Sequence, residues 1–259
     1  MKLRINDSEA VQKFIKDTLS LRFETRTIQG YKIHFAQIGA SDKPTLFFIH
    51  GSPGSWSAFE NYLKDKELLK NFRMISIDRP GYGFSNFGNV LNYTLQTRLI
   101  GDLISQLQNE KYFYVVGHSL GGPIAVSLAA QHIQSISGIV LLAASVDPDE
   151  EKPEKWRKFF NIYPFRFLLP GAFRPSNTEL CAFKKDVLLL PSDLNKVTCS
   201  VLLVHGLKDP LVPPGNSFYA QKQLTHALSV KLVTLKDANH FIPWKKYAEI
   251  KELLMNLPH

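Results

Sequence analysis

The stretch Val115–Pro123, VVGHSLGGP, sets one hydroxyl among glycines directly after a β-branched run. A sharp turn from strand to helix strains the residue at its apex and brings backbone too close for side chains on either side of it. Gly117 and Gly121 remove those side chains, so Gly117-His118-Ser119-Leu120-Gly121 reads as a turn that lifts Ser119 above a sheet. The positive end of the following helix would lie beneath the hydroxyl. Pro123 falls in the first turn of that helix, where a missing N–H costs no intrahelical bond. A glycine-rich turn with a capping serine would look alike, but the apolar strand before it and Ala125, Ala129 and Ala130 after it supply the context the sharp turn demands.

Near the N-terminus an amphipathic helix is expected over Asp7–Ser20, where Val11, Phe14, Ile15 and Leu19 recur at helical spacing. RFETRTIQGYKIHFAQIG alternates around Gly30 as an antiparallel hairpin, and Thr45–His50 (TLFFIH) reads as a fully buried strand. A helix over Trp56–Leu69, the strand FRMISID, and a helix over Thr94–Gln108 with Leu95, Leu99, Leu103 and Leu107 on one face come next. YFYVVG, a helix from Leu120, and the strand SGIVLLA continue the alternation. Strands separated by helices of this length need crossover connections, which gives an α/β fold with a mostly parallel sheet covered on both faces. The rhythm breaks between Asp147 and about Val197, where prolines and aromatics crowd together, and resumes at VTCSVLLVHG and SVKLVTL. The organisation expected is therefore one core, residues 1–146 and 198–259, carrying a small helical lid over residues 147–197.

A chain of 259 residues with this sheet pattern usually keeps a single core. Its 44% apolar and 21% charged composition is ordinary for a globular domain, and no apolar run is long enough to cross a bilayer. The start, MKLRINDSEAVQKF, lacks the apolar core and small-residue cleavage site of a secretory signal, so a soluble, cytoplasmic protein is expected. Cys181 and Cys199 lack metal-ligand spacing and read as structural thiols. The net charge of +8 would favour a polyanion only if clustered, but basic residues never exceed two in a row. No nucleic-acid partner and no stable membrane association are expected; attachment through the basic amphipathic part of the lid near Lys155–Ile162 is the weaker alternative.

A serine nucleophile needs a base, and the base needs an acid to hold its tautomer and stabilise the imidazolium. On this kind of sheet the acid follows a strand downstream and the histidine sits in a late loop. VLLVHGLKDPLVPP places Asp209 after a buried strand, and KLVTLKDANHFIPW places His240 after the next. Asp before Pro is also a common turn starter, and His240 alone could be a loop histidine. Their joint order and position select Ser119, Asp209 and His240, with Asp147 as a substitute acid and Asp237 disfavoured by its nearness to His240 in the same loop. An oxyanion would be held by the N–H of Leu120 and by that of Ser52 in His50-Gly51-Ser52-Pro53-Gly54-Ser55-Trp56, since Pro53 has none to give. His50, His118 and His205 read as buried, hydrogen-bonded histidines.

These residues resemble the α/β-hydrolase superfamily in its lidded branch of serine esterases and lipases. The resemblance covers nearly the whole chain: HGSPGSW for the oxyanion loop, Asp78–Ser85 (DRPGYGFS) for the loop after the next strand, GHSLGG for the nucleophile elbow, GLKDP for the acid and NH for the base. It implies an eight-stranded sheet with the lid inserted after the sixth strand. Epoxide hydrolases and haloalkane dehalogenases of that branch carry an aspartate where this chain has Ser119, so their reactions are not expected. Proline iminopeptidases carry a larger lid with an acidic residue for the substrate amine. Carbon–carbon hydrolases have a lid arginine and tryptophan, which Trp156, Arg157, Arg166 or Arg174 could imitate.

The lid is rich in aromatic side chains, and Trp156, Phe159, Phe160 and Phe167 are candidates for a substrate pocket, although they could equally pack the lid onto the body. The function expected is hydrolysis of a small, largely apolar carboxylic ester or lactone through an acyl-enzyme, with no metal or organic cofactor. The glycine pattern is not the dinucleotide fingerprint, and no phosphate-loop GK[ST] occurs. The alternatives are a carbon–carbon hydrolase or perhydrolase with the same triad, and a ligand-binding receptor with a vestigial triad. The sequence leaves the oligomeric state open.

Overall fold

The computed structural model describes residues 5–152 and 154–259. Residues 1–4, part of the start read above as lacking an export signal, lie outside them. Eight strands, β1 (Arg22–Ile28), β2 (Tyr31–Ile38), β3 (Thr45–Ile49), β4 (Arg73–Ile77), β5 (Phe113–His118), β6 (Gly138–Leu142), β7 (Ser200–Gly206) and β8 (Ser229–Leu235), form one sheet in the order β1-β2-β4-β3-β5-β6-β7-β8. β2 runs antiparallel to both its neighbours, and every other pair is parallel. The chain lays β4 on one side of β3 and β5 on the other, which opens a crevice at the carboxyl ends of β3 and β5. Ile49 pairs with Gly117 there, so the loops carrying Ser52 and Ser119 leave the sheet side by side.

Every residue of β3, β4, β5 and β6 is buried, as the near-continuous apolar runs predict. Side chains alternate between faces. Phe47 and Ile49 pack with Leu99, Leu103 and Ile124 from the helices Tyr93–Leu107 and Gly121–Gln131. Leu46 and Phe48 face the opposite cluster, with Phe14, Phe59 and Leu254.

Two helices differ from expectation. The segment Trp56–Leu69 is broken into a 3-10 turn at Trp56–Phe59 and two short helices, Glu60–Leu63 and Lys66–Asn71. Asp65 ends the middle piece and starts the last, because its Oδ1 accepts the N–H groups of Glu67 at 2.8 Å and Leu68 at 3.0 Å. The N-terminal helix spans Asp7–Lys16 and stops before Thr18, which turns to φ 62°.

Between β6 and β7 the chain forms two 3-10 turns, Lys155–Asn161 and Phe165–Leu168, then the helices Phe173–Val187 and Leu190–Leu194. The turns bury no residue. Phe183, Val187, Leu190, Leu194 and Val197, by contrast, share the cluster that covers the sheet. The second half of the insertion is continuous with the main core, and only the first half stands apart from it.

Candidate active site

Ser119 sits at the tip of the turn after β5 with φ 53°, the left-handed region that side chains other than glycine rarely enter. The turn holds it there: the N–H of Ser119 donates to the Leu142 carbonyl at 3.0 Å, and the Ser119 carbonyl accepts the N–H of Gly122 at 3.0 Å. A side chain at Gly121 would run into the carbonyl oxygens of Ile49 and His50, the latter at 2.9 Å, which is why the helix can start this close to β3 only with glycine.

The turn after β7 carries Asp209. Its Oδ1 accepts the N–H groups of Leu211 and Val212, each at 2.9 Å. Its Oδ2 lies 2.7 Å from Nδ1 of His240 and 3.4 Å from Nε2 of His205. Burial alone would raise the Asp209 pKa, but the hydrogen bonds from His205, His240 and Val212 outweigh it and hold the carboxyl well below the usual carboxylate range. An ionised Asp209 accepts the hydrogen bond that His240 donates from Nδ1–H, which turns Nε2 of the ring away from the carboxylate.

His240 is fixed from a second side by His118. The His118 ring stands 4.9 Å from the His240 ring, centre to centre, and its Nε2–H donates to the His240 carbonyl at 3.1 Å. His118 immediately precedes Ser119, so the elbow and the loop of His240 are tied together at one residue. Burial first, and the neighbouring His240 second, push the His118 pKa down to about 3, so this imidazole is neutral near pH 7.

The loop after β3 closes on the same point. A Cβ on Gly51 would stand 2.8 Å from that of Ser119, so the loop approaches the hydroxyl as nearly as a glycine allows. His50 braces it: Nδ1–H donates to the Gly51 carbonyl at 2.6 Å and Nε2 accepts the N–H of Arg79 at 3.0 Å. Its pKa is lowered to about 3 by burial and then by Arg79, which fixes the neutral tautomer. Among the described residues, neither the N–H of Ser52 nor that of Leu120 is engaged by a protein acceptor. Ser119, Asp209 and His240 are all at most 6% exposed.

Sequence reasoning missed one group beside the site. Glu179, on the insertion helix Phe173–Val187, forms a two-pronged pair with Arg79, Oε1 to Nη1 at 2.6 Å and Oε2 to Nη2 at 2.9 Å. Tyr82 donates to Oε2 at 2.6 Å and Gln96 to Oε1 at 3.1 Å. One turn earlier, Ser176 Oγ lies 3.0 Å from Ser52 Oγ, which is also 2.7 Å from the Tyr82 hydroxyl. The helix is thus bonded to the loop of Ser52 and to the loop after β4. Burial opposes ionisation of Glu179, yet Arg79 and Tyr82 hold its pKa down. The signal lay in the spacing: Ser176, Glu179 and Phe183 fall on the inward stripe of their helix, and a carboxylate on an inward stripe requires a cation.

The other candidates lie elsewhere. Asp147 Oδ1 accepts the N–H of Asp149, and Asp237 pairs with Lys208 at 2.7 Å on the surface. His205 is buried, its Nδ1 2.6 Å from Ser217 Oγ and its Nε2 2.9 Å from the Val212 carbonyl. Arg157 stacks over Trp156 and pairs with Glu154, while Arg166 and Arg174 lie over Phe167. Trp156, Phe159 and Phe167 are exposed and Phe160 is half-buried; their ring contacts run to one another and to Phe165 and Tyr163 of the same turns. Cys181 and Cys199 are free thiols. No group of His, Cys, Asp or Glu among the described residues is arranged to hold a metal ion, and no helix among them is long and apolar enough to cross a membrane.

Residues 44–170 match a family model described as the alpha/beta hydrolase fold. The uncharacterized hydrolase YugF of Bacillus subtilis is 31% identical over 264 residues, covering 87% of this chain and 94% of its own. Epoxide hydrolase 1 of Caenorhabditis elegans is 34% identical over 116 residues, which is 44% of this chain but only 28% of that protein. Among solved structures, an esterase from Exiguobacterium antarcticum superposes with a TM-score of 0.70 at 21% identity, over 89% of this chain and 97% of that one. The sheet order, the strained serine after β5 and the near full-length relation to a hydrolase converge, and the chain belongs to the α/β-hydrolase fold family.

Proposed function

We propose that the protein is a serine hydrolase that cleaves a small, largely apolar carboxylic ester or lactone through a Ser119–His240–Asp209 triad. The observation that carries this is the 2.7 Å contact of His240 Nδ1 with Asp209 Oδ2, in a loop that His118 ties to the serine turn. Ser119 Oγ attacks the ester carbonyl as its proton passes to His240 Nε2, and Asp209 stabilises the imidazolium. The N–H groups of Ser52 and Leu120 hold the oxyanion. The tetrahedral adduct collapses, His240 returns the proton to the leaving alkoxide oxygen, and the acyl group remains on Ser119. Water, deprotonated by His240, then attacks the acyl carbonyl and releases the acid.

Relatives named epoxide hydrolases do not move this reading, for a chemical reason. A serine oxygen that opened an epoxide would form an ether, which has no carbonyl for water to attack, and the enzyme would be consumed. An acyl ester on the same oxygen is released by water. A hydroxyl at position 119 therefore favours substrates with a carbonyl.

Burst kinetics on p-nitrophenyl esters from acetate to decanoate, with Ser119→Ala and His240→Ala alongside, test the proposal. Turnover with a chain-length optimum, abolished by both substitutions, is expected. No activity above the Ser119→Ala control on any ester would overturn ester hydrolysis and favour carbon–carbon cleavage; tight ligand binding without turnover would favour a receptor.

A further inference from the structure

The first half of the insertion exposes what a folded chain normally hides. Tyr163 is 76% exposed, Leu168 68%, Ile162 58% and Phe167 57%, and Trp156 and Phe159 stand about half in the open. Scattered apolar residues need no explanation, but a contiguous patch does. Here the rings touch in series, Phe159 on Phe165 at 4.0 Å, Trp156 on Phe160 at 5.8 Å and Tyr163 on Phe167 at 5.8 Å.

The charge on the same strip has one sign. From residue 155 to residue 174 the chain carries Lys155, Arg157, Lys158, Arg166 and Arg174 and no acidic residue. Glu154 at its edge pairs with Arg157, whereas Lys155 and Lys158 have no ion pair among the described residues. Exposed aliphatic and aromatic side chains interleaved with unpaired cations are the composition of a segment that lies in a lipid–water interface, with Trp and Tyr at headgroup level.

We propose that residues 155–174 are a docking surface for anionic lipid, holding the protein reversibly at a bilayer surface. The observations disfavour two other occupants. A second copy meeting this strip across a two-fold axis would bring two surfaces of like excess charge together, each with Lys155 and Lys158 uncompensated among the described residues. Nucleic acid would satisfy the cations and could stack on the rings, but it would leave Ile162 and Leu168 in water. Docking places Trp156, Phe159, Phe160 and Phe167 in the interface rather than in the wall of a pocket. It also loads an element joined to the candidate site, because the strip runs into the helix whose inner face bonds Ser52 and Arg79.

The test is sedimentation of the whole chain with phosphatidylcholine vesicles, with and without about 30% phosphatidylglycerol, at low and high salt. Co-sedimentation with the anionic vesicles alone, weakened by salt, is expected, with a blue shift of tryptophan emission that Trp156→Phe removes. Lys155→Gln and Lys158→Gln should each weaken docking about fivefold. Phe167→Asp with Leu168→Asp should abolish it while circular dichroism stays unchanged. Three results would each overturn the proposal: wild-type protein left in the supernatant at low salt, sedimentation with no Trp156-dependent shift, or a dimer that Leu168→Asp dissociates. The wild-type and Trp156→Phe arms decide even if the aspartate variants do not fold.

Discussion

Arg79 and Glu179, a hundred residues apart, meet as a buried two-pronged ion pair at 2.6 and 2.9 Å. The pair joins the loop after β4 to the insertion helix directly above the loop of Ser52. Glu179→Ala would leave a fully buried guanidinium uncompensated, which costs about 3–5 kcal/mol. Urea unfolding should show that loss for Glu179→Ala, and a smaller one for Glu179→Gln, which keeps the hydrogen bonds. Unchanged unfolding of Glu179→Ala would mean the pair does not bind the insertion to the body.

Asp209→Asn keeps shape but gives up the charge that orders the His240 ring. The activity expected on the best ester falls by about 10⁴ in kcat with little change in KM, because the wrong tautomer of His240 then faces Ser119. A loss confined to KM would argue that Asp209 only shapes the substrate site.

Gly51→Ala places a methyl 2.8 Å from the Ser119 Cβ, so the Ser52 loop must retreat. A displacement on the order of 1 Å at an oxyanion donor lowers kcat by about 100-fold. Steady-state kinetics should show this with the fold intact by circular dichroism, and activity within a fewfold of wild type would remove Ser52 as a donor.

Strain at Ser119 makes a prediction of opposite sign for stability. Its φ of 53° is one that glycine accepts freely. Ser119→Gly should therefore be inactive yet more stable than Ser119→Ala by about 0.5–1 kcal/mol, read from urea midpoints. Equal midpoints would show that the turn stores no strain.

His50 and His118 ionise near 3 in the folded chain and near 6.5 when exposed. Between those values the unfolded chain binds more protons, so their contribution is fully present above about pH 6.5 and is lost as the pH falls toward 3. Each adds a slope of about 1.4 kcal/mol per pH unit in that window. Unfolding free energies from about pH 8 to about pH 5 should fall with acid, and His118→Asn should flatten the slope whatever its baseline stability.

The sheet, its parallel core and the turn at Ser119 were legible because each rests on local pattern: apolar runs of strand length, helical periodicity, and glycines where a side chain would collide. Asp209 and His240 were legible because an α/β sheet delivers the ends of successive strands to one crevice, so position after a strand stands in for position in space. The break of the expected Trp56–Leu69 helix was not, since Asp65 as a cap competes with a periodicity that continues across it.

Local pattern in the chain was enough for which segments are strands, which serine is lifted above them, and where Asp209 and His240 fall after successive strands. It took the folded chain to show that Glu179 closes on Arg79, that His118 is bonded to His240, that the second half of the insertion joins the core, and that the aromatic strip faces outward. The reason is physical: the first set depends on backbone conformation and on residues within a turn or a strand. The second depends on contacts between segments dozens to a hundred residues apart, which no local spacing encodes.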